Sequence, residues 1–195
     1  RSPTLSLEAR YYTDPEIYER EKSALLARTW LFAGHVSDVE NTGDYFTFEI
    51  CGQNLFAIRD GEGAVRVFHN VCMHRAHELL NGEGSTKLIA CPYHAWSYEL
   101  DGRLRRAPNQ SKVEGFDASR ICLTEVRSEL FCGFLFVNLD PDAEDLADYL
   151  GTLPQHIGCY DFPNLVTTRR KVWDVACNWK IYLENQRESY HIPAV

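Results

Sequence analysis

Two short stretches carry residues that can hold a metal. Cys72-Met73-His74 places one residue between a thiol and an imidazole, and Cys91-Pro92-Tyr93-His94 places two. Sixteen residues separate His74 from Cys91, and they include the turn-forming run Asn81-Gly82-Glu83-Gly84. A turn there brings two loop tips together, each with one Cys and one His. Two thiolates and two imidazoles can hold a tetrahedral zinc ion, or a two-iron two-sulfur cluster with Cys on one iron and His on the other. The spacing separates these readings. Zinc fingers pair Cys with Cys and His with His, usually two to five residues apart. Here each loop mixes the types, which suits a cluster whose two irons differ in ligation and favours it over structural zinc.

The elements around these loops must position them. Asp14-Pro15 is an N-cap followed by proline at the first helical position, and it opens a helix running to about Thr29. From Asp44 the hydrophobic period becomes two. Phe46, Phe48 and Ile50 form one strand, Asn54–Arg59 a second, and Ala64–Phe68 a third, with turns at Cys51-Gly52 and Asp60-Gly61-Glu62-Gly63. Leu88–Cys91, Ser97–Leu100 and Arg103–Arg105 are short β-prone runs, with Asp101-Gly102 turning the chain. Glu125–Glu129 and Phe131–Leu139 complete an antiparallel meander. The sequence then predicts a helix over Asp142–Leu150 closed by Gly151, a long strand over Leu165–Ala176, and a helix from Trp179 to about Tyr190 capped by Asn178. The fold class is α+β and mainly antiparallel β, a small sandwich or barrel in its middle part.

Composition excludes several functions. The 195 residues carry 20 Lys and Arg against 28 Asp and Glu, a formal charge of −8, which argues against nucleic-acid binding. No apolar run approaches membrane-spanning length, and no signal peptide opens the chain. Seven cysteines, an odd number, fit reduced thiols in a cytoplasm better than a disulfide framework. The weaker candidates have bland readings. His77 falls outside the ligand spacing and reads as a hydrogen-bonding or surface residue; His35, His69 and His156 read as structural. Cys51, Cys122, Cys132, Cys159 and Cys177 read as small packed hydrophobes. Trp30, Trp173 and Trp179 read as core. Trp96, two past His94, reads as a shield against water. The basic groups Arg103/Arg105/Arg106 and Arg169-Arg170-Lys171 read as solvated strand ends, or at best as help in docking an acidic redox partner.

The two loops, with Tyr93, Trp96 and Asp101-Gly102, resemble the Rieske proteins. Cys91-Pro92-Tyr93-His94-Ala95-Trp96 is similar to the oxygenase branch, for neither loop has the extra Cys of respiratory-chain Rieske proteins. Ala76 and Ala95 stand where that family usually has Gly. Further on, Asn178-Trp179-Lys180, Glu184-Asn185 and Glu188-Ser189-Tyr190-His191-Ile192-Pro193 resemble the start of the catalytic domain of Rieske non-heme iron oxygenases. The resemblance implies that Cys72, His74, Cys91 and His94 hold the cluster and that Glu188 is the acid bridging the two metal centres. His191 would be the first ligand of a mononuclear Fe(II). Glu188 and His191 are three apart, so on one helix they share a face.

It also implies a division into a lead-in (1–40), a Rieske domain (41–140) and the start of a helix-grip-like catalytic domain (141–195). Met73 is the only methionine, and a second iron-binding His is expected one residue past Val195, so the chain reads as a piece of a longer protein. The implied enzyme is a cytoplasmic homotrimer taking electrons from a reductase that uses NAD(P)H and flavin, with or without a ferredoxin. It would use O2 to hydroxylate or N-demethylate a small substrate. Glu rather than Asp at 188, His74-Arg75-Ala76-His77 and Arg106-Ala107-Pro108-Asn109 resemble the carnitine, betaine and stachydrine branch. The competing readings are an aromatic-ring-hydroxylating dioxygenase α subunit and a stand-alone Rieske ferredoxin.

Overall fold

The structure is a computed structural model, and it describes residues 7–158 and 160–187. Two short helices, α1 (Arg10–Thr13) and α2 (Pro15–Ala24), precede the β region. The Asp14 side chain accepts the Glu16 N–H and Pro15 sits in the first turn, as the sequence indicates. The helix is shorter than expected: after Ala24 the chain tightens into a 3-10 turn over Leu26–Arg28, a common way for a helix to end.

Ten strands follow: β1 (Leu31–His35), β2 (Asp44–Ile50), β3 (Gln53–Arg59), β4 (Val65–His69), β5 (Glu83–Ser85), β6 (Ile89–Ala90), β7 (Ser97–Tyr98), β8 (Leu104–Arg106), β9 (Glu125–Phe131) and β10 (Phe134–Asn138). Seven form a sheet in the order β1-β10-β9-β4-β3-β2-β5, and β6-β7-β8 form a second sheet. Every pairing is antiparallel. Helices α3 (Leu146–Leu150), α4 (Leu153–Ile157) and α5 (Trp179–Arg187) complete the described chain. None of them is long and apolar enough to cross a membrane.

Strand β3 explains how one sheet supports two cores. Leu55, Phe56, Ala57 and Ile58 are all buried. Side chains alternate across a strand, so Phe56 and Ile58 face one way and Leu55 and Ala57 the other. Phe56 and Ile58 join Phe68, Leu79, Ile89, Tyr98 and both Cys72 and Cys91 in a core between the two sheets. Leu55 and Ala57 join Val39, Phe46, Val67, Val126, Leu135 and Val137 on the opposite face. The first core lies directly beneath the metal-loop cysteines. Its edge is closed by Gly102, at φ +87°, where an added Cβ would lie 2.6 Å from the Phe68 ring. Only glycine allows both that conformation and that approach.

Several expectations fail for physical reasons. Residues 165–176 form no strand. Alternating apolar residues are not sufficient, because a strand needs a partner for its backbone groups, and among the described residues none pairs with this segment. Its Val166, Val172, Trp173 and Val175 are exposed, so Trp173 is not core. Trp30 is buried and Trp179 half-buried. The run from Phe131 is broken by a tight turn at Cys132-Gly133, both at positive φ, so β10 begins at Phe134. The helix after Pro141 begins only at Leu146, and α4 was not anticipated. Cys122 and Cys177 are exposed rather than packed, and Cys159 lies outside the described residues. His35 is structural, its ring nitrogens engaged by Ser37 and by the Phe162 carbonyl.

The Asp60 hairpin gives a pH prediction. Asp60 is buried and accepts from Arg66 Nε at 2.7 Å and from the N–H groups of Glu62 and Ala64 at 2.9 Å each. Burial alone would raise its carboxyl, but Arg66 and the two backbone donors hold it below the usual aspartate value near 3.8. A carboxyl depressed on folding contributes its full stability above that unfolded value and loses it as pH falls through the folded value. Thermal unfolding followed from pH 7 downward is therefore expected to show an acid limb beginning below about pH 4. Asp60→Asn is expected to flatten that limb.

Candidate functional site

The two loops are built on one plan. In the first, the Cys72 N–H donates to the His77 carbonyl at 2.8 Å and the Ala76 N–H to the Cys72 carbonyl at 2.9 Å. In the second, the Cys91 N–H donates to the Trp96 carbonyl at 2.7 Å and the Ala95 N–H to the Cys91 carbonyl at 3.0 Å. Ala76 and Ala95, each four residues past its cysteine, both turn the chain at positive φ, 53° and 57°. This is a conformation glycine adopts freely and alanine only at a cost of roughly 1–2 kcal/mol. The loops differ in where the histidine falls, third in one and fourth in the other.

That shared plan separates sulfur from nitrogen. The thiols of Cys72 and Cys91 are buried in the core between the sheets. The imidazoles of His74 (exposed) and His94 (half-buried) face outward, with ring centroids 4.7 Å apart. Trp96 stacks on His74 at 4.8 Å and 7°, and the Tyr93 ring lies 3.8 Å from that of His94. Trp96 therefore covers one imidazole, which suits the expected shielding role. Burial, then His74, Arg75 and His77, hold the His94 imidazole below its usual pKa. The neutral ring is the form that binds a metal. His77 stands aside, its Nδ1 within 2.6 Å of the Glu78 carbonyl oxygen. Among the described residues, no three His, Cys, Asp or Glu side chains converge as a single ion would need. A two-iron cluster asks only two protein donors of each iron, so a buried sulfur pair and an outer imidazole pair match it.

Two supporting residues escaped the sequence reading. Tyr98 is fully buried in β7; its hydroxyl lies 3.2 Å from Cys72 Sγ and accepts the Met73 N–H at 3.1 Å. Burial, then the contact with Cys72, pushes its pKa up, so it remains a donor. Asn70, also buried, holds the return of the first loop. Its Oδ1 accepts the N–H groups of Leu79 and Leu80 at 3.1 and 3.0 Å, and its Nδ2 donates to the Leu80 carbonyl at 2.7 Å. Glu188 and His191 lie outside the described residues; α5 is described up to Arg187, immediately before Glu188.

A cavity of about 1000 Å3 lies away from the loops, between the N-terminal helices and the segment leading into α5, with Tyr12, Tyr18, Trp173 and Tyr182 in its wall.

Comparison with known proteins matches residues 29–117 to the Rieske [2Fe-2S] domain and residues 162–195 to the catalytic domain of the ring hydroxylating alpha subunit. The chain is 39% identical over 189 residues to the carnitine monooxygenase oxygenase subunit of Escherichia coli (strain K12), covering 95% of this chain and 50% of that protein. It is 33% identical to the glycine betaine monooxygenase oxygenase subunit of Pseudomonas aeruginosa, covering 98% of this chain and 44% of that one. Among solved structures it is similar to the quaternary ammonium Rieske monooxygenase CntA in complex with the substrate gamma-butyrobetaine. There the TM-score is 0.89 at 36% identity, over 96% of this chain and 55% of that one. Naphthalene 1,2-dioxygenase with indole bound gives a TM-score of 0.69 at 33% identity, over 74% of this chain and 33% of that one. The chain spans about half the length of the curated relatives it matches. The chain thus joins a segment matching the Rieske [2Fe-2S] domain to a segment matching part of the ring hydroxylating alpha-subunit catalytic domain.

Proposed function

We propose that this chain is part of the terminal oxygenase component of a Rieske non-heme iron monooxygenase acting on a quaternary ammonium compound. One observation carries the redox reading: two loops of one backbone plan, with sulfurs turned into the core and imidazoles turned out. Cys72 and Cys91 would hold the inner iron of a [2Fe-2S] cluster and His74 and His94 the outer one; when bound, the cluster supplies one-electron transfer. The Tyr98 hydroxyl would donate to the inner sulfur, and Trp96 covers one face of the His74 ring. The outward imidazoles offer the edge through which an electron leaves.

Glu188 is proposed as the acid linking this edge to a mononuclear Fe(II), and His191 as a ligand of that iron, whose bound state supplies dioxygen activation. The site residues before and after position 140 then fall in two units, the cluster domain and the beginning of a helix-grip-like catalytic domain. A reductase with NAD(P)H and flavin, directly or through a ferredoxin, completes the system, and a homotrimer would bring the two metal centres of neighbouring subunits together. The six described cysteines are all unpaired, which supports a cytoplasmic setting.

The substrate class rests on likeness over the whole chain. Similarity to carnitine and glycine betaine enzymes extends over 95–98% of it, whereas similarity to naphthalene 1,2-dioxygenase extends over 74%. The test is to supply the intact protein and its reductase with betaines and with aromatic acids. Formaldehyde from an N-methyl group, or a released methylamine, supports the reading. A cis-diol from the aromatic acid with neither product contradicts it.

A further inference from the structure

The loop between β8 and β9 reaches back to the second metal loop. Its two ends are tied together: the Leu104 N–H donates to the Ile121 carbonyl and the Leu123 N–H to the Gly102 carbonyl, each at 2.9 Å. Between these ties the chain makes two 3-10 turns, Gln110–Lys112 and Ala118–Arg120. Ser111, Lys112, Val113 and Glu114, at the outer bend, are exposed. Phe116 turns the other way. It is half-buried and packs on the core that contains Cys72 and Cys91. Directly after it, Asp117 caps the second turn, its Oδ1 accepting the Ser119 N–H at 3.0 Å and the Ser119 hydroxyl at 2.6 Å. That cap fixes the backbone from which the Phe116 ring projects.

Phe116 meets Trp96 edge-on, with ring centroids 5.9 Å apart and planes at 87°. This is one of the favoured arrangements of an aromatic pair. Trp96 in turn lies flat on His74, at 4.8 Å and 7°. Three rings therefore stand in a row, and the loop supplies the last of them. The imidazole side of the site is the more open one, since His74 is exposed while both cysteines are buried. Trp30 and Trp179 are oriented by indole N–H bonds to Glu144 and Glu21. The ring contacts of Trp96 among the described residues are with His74 and Phe116. Phe116 is thus the ring that limits how Trp96 can swing away from His74.

We propose that Phe116 is a positioning residue for the electron-transfer site: it holds Trp96 flat on His74, and through that contact the loop between β8 and β9 keeps the cluster potential low. This rests on the reading of Cys72, His74, Cys91 and His94 given above. Two ferric ions, two sulfides and two thiolates carry no net charge, and one added electron makes the group singly negative. Cover that excludes water disfavours the charged form. The negative face of an aromatic ring disfavours it further. Both effects have one sign, so losing the cover raises the potential.

The test is a redox titration of the intact protein, followed by visible absorbance. At a poise that half-reduces the wild type, Phe116→Ala is expected to hold about three reduced clusters for each oxidised one. That threefold change, the size of a weak aromatic contact, corresponds to roughly 30 mV. Phe116→Tyr, which keeps the ring, is expected to titrate with the wild type. Trp96→Leu is expected to shift the same way by at least as much. Adding Phe116→Ala to it is expected to shift nothing further, because Phe116 acts through Trp96. Should Phe116→Ala fail to take up a cluster, Phe116→Leu, which keeps apolar volume without a ring, is expected to shift in the same direction. An unmoved or lowered potential in the ringless variants overturns the proposal. So does a Tyr variant shifted as far as Ala, or a full additional shift in the Trp96→Leu background. A wild-type protein with no [2Fe-2S] absorbance would instead overturn the cluster reading itself.

Discussion

Tyr98→Phe is expected to lower the reduction potential of the cluster by about 40 mV while leaving its visible spectrum in place. The hydroxyl lies 3.2 Å from Cys72 Sγ, within a core that excludes water. Reduction adds negative charge to the cluster, so a donor to its sulfur stabilises the reduced form more than the oxidised one. A difference of about 1 kcal/mol, typical of one hydrogen bond, corresponds to roughly 40 mV for a one-electron couple. The same change leaves the Met73 N–H without its acceptor, at a cost of about 1–3 kcal/mol in stability. Electrochemistry and thermal unfolding of one variant therefore test both halves of the contact. A lowered melting temperature with an unmoved potential would mean that the hydroxyl holds the loop but does not tune the cluster.

Asn70→Leu is expected to destabilise the protein by about 3–4 kcal/mol, because it strands several backbone groups together. The Leu79 and Leu80 N–H groups and the Leu80 carbonyl all lose their partner. These groups close the chain immediately after the first metal loop, so the cluster is expected to be released to a chelator faster than in the wild type. Asn70→Asp is the informative control. It keeps the acceptor for both N–H groups but loses the donor to Leu80 and places a charge 3.4 Å from Glu78 Oε1. It is expected to fall between the wild type and Leu. Chemical denaturation gives the stability, and absorbance decay under chelator gives the release rate. A Leu variant within 1 kcal/mol of wild type would show that Asn70 is dispensable.

The metal-bearing residues were legible in sequence because ligation depends on residue type at short spacing. Cys72 with His74, and Cys91 with His94, each fall within one tight loop; the expected turn at Asn81-Gly82 instead leads the chain into β5, which pairs with β2. The same holds for the Asp14-Pro15 helix start and the hairpin at Asp60, whose signals lie within a few residues. Tyr98 and Asn70 were not legible, since their roles exist only through contacts made across 26 and 10 residues. The segment 165–176 misled for the converse reason: it has strand-like alternation, but a strand is defined by a partner elsewhere in the chain. Ala76 and Ala95 were seen in sequence as departures from glycine; only the structure showed that both occupy the positive-φ turn that glycine normally serves.

Cys72, His74, Cys91 and His94 are expected to bind one two-iron cluster with sulfur and nitrogen on different irons. The direct measurement is iron, zinc and sulfide content together with the Mössbauer spectrum of the reduced protein. Two irons and two sulfides are expected for these four ligands, besides any mononuclear iron. The two cluster irons should be unlike, the sulfur-ligated one staying ferric and the imidazole-ligated one taking the electron. Stoichiometric zinc without sulfide, or two equivalent cluster irons, would contradict it.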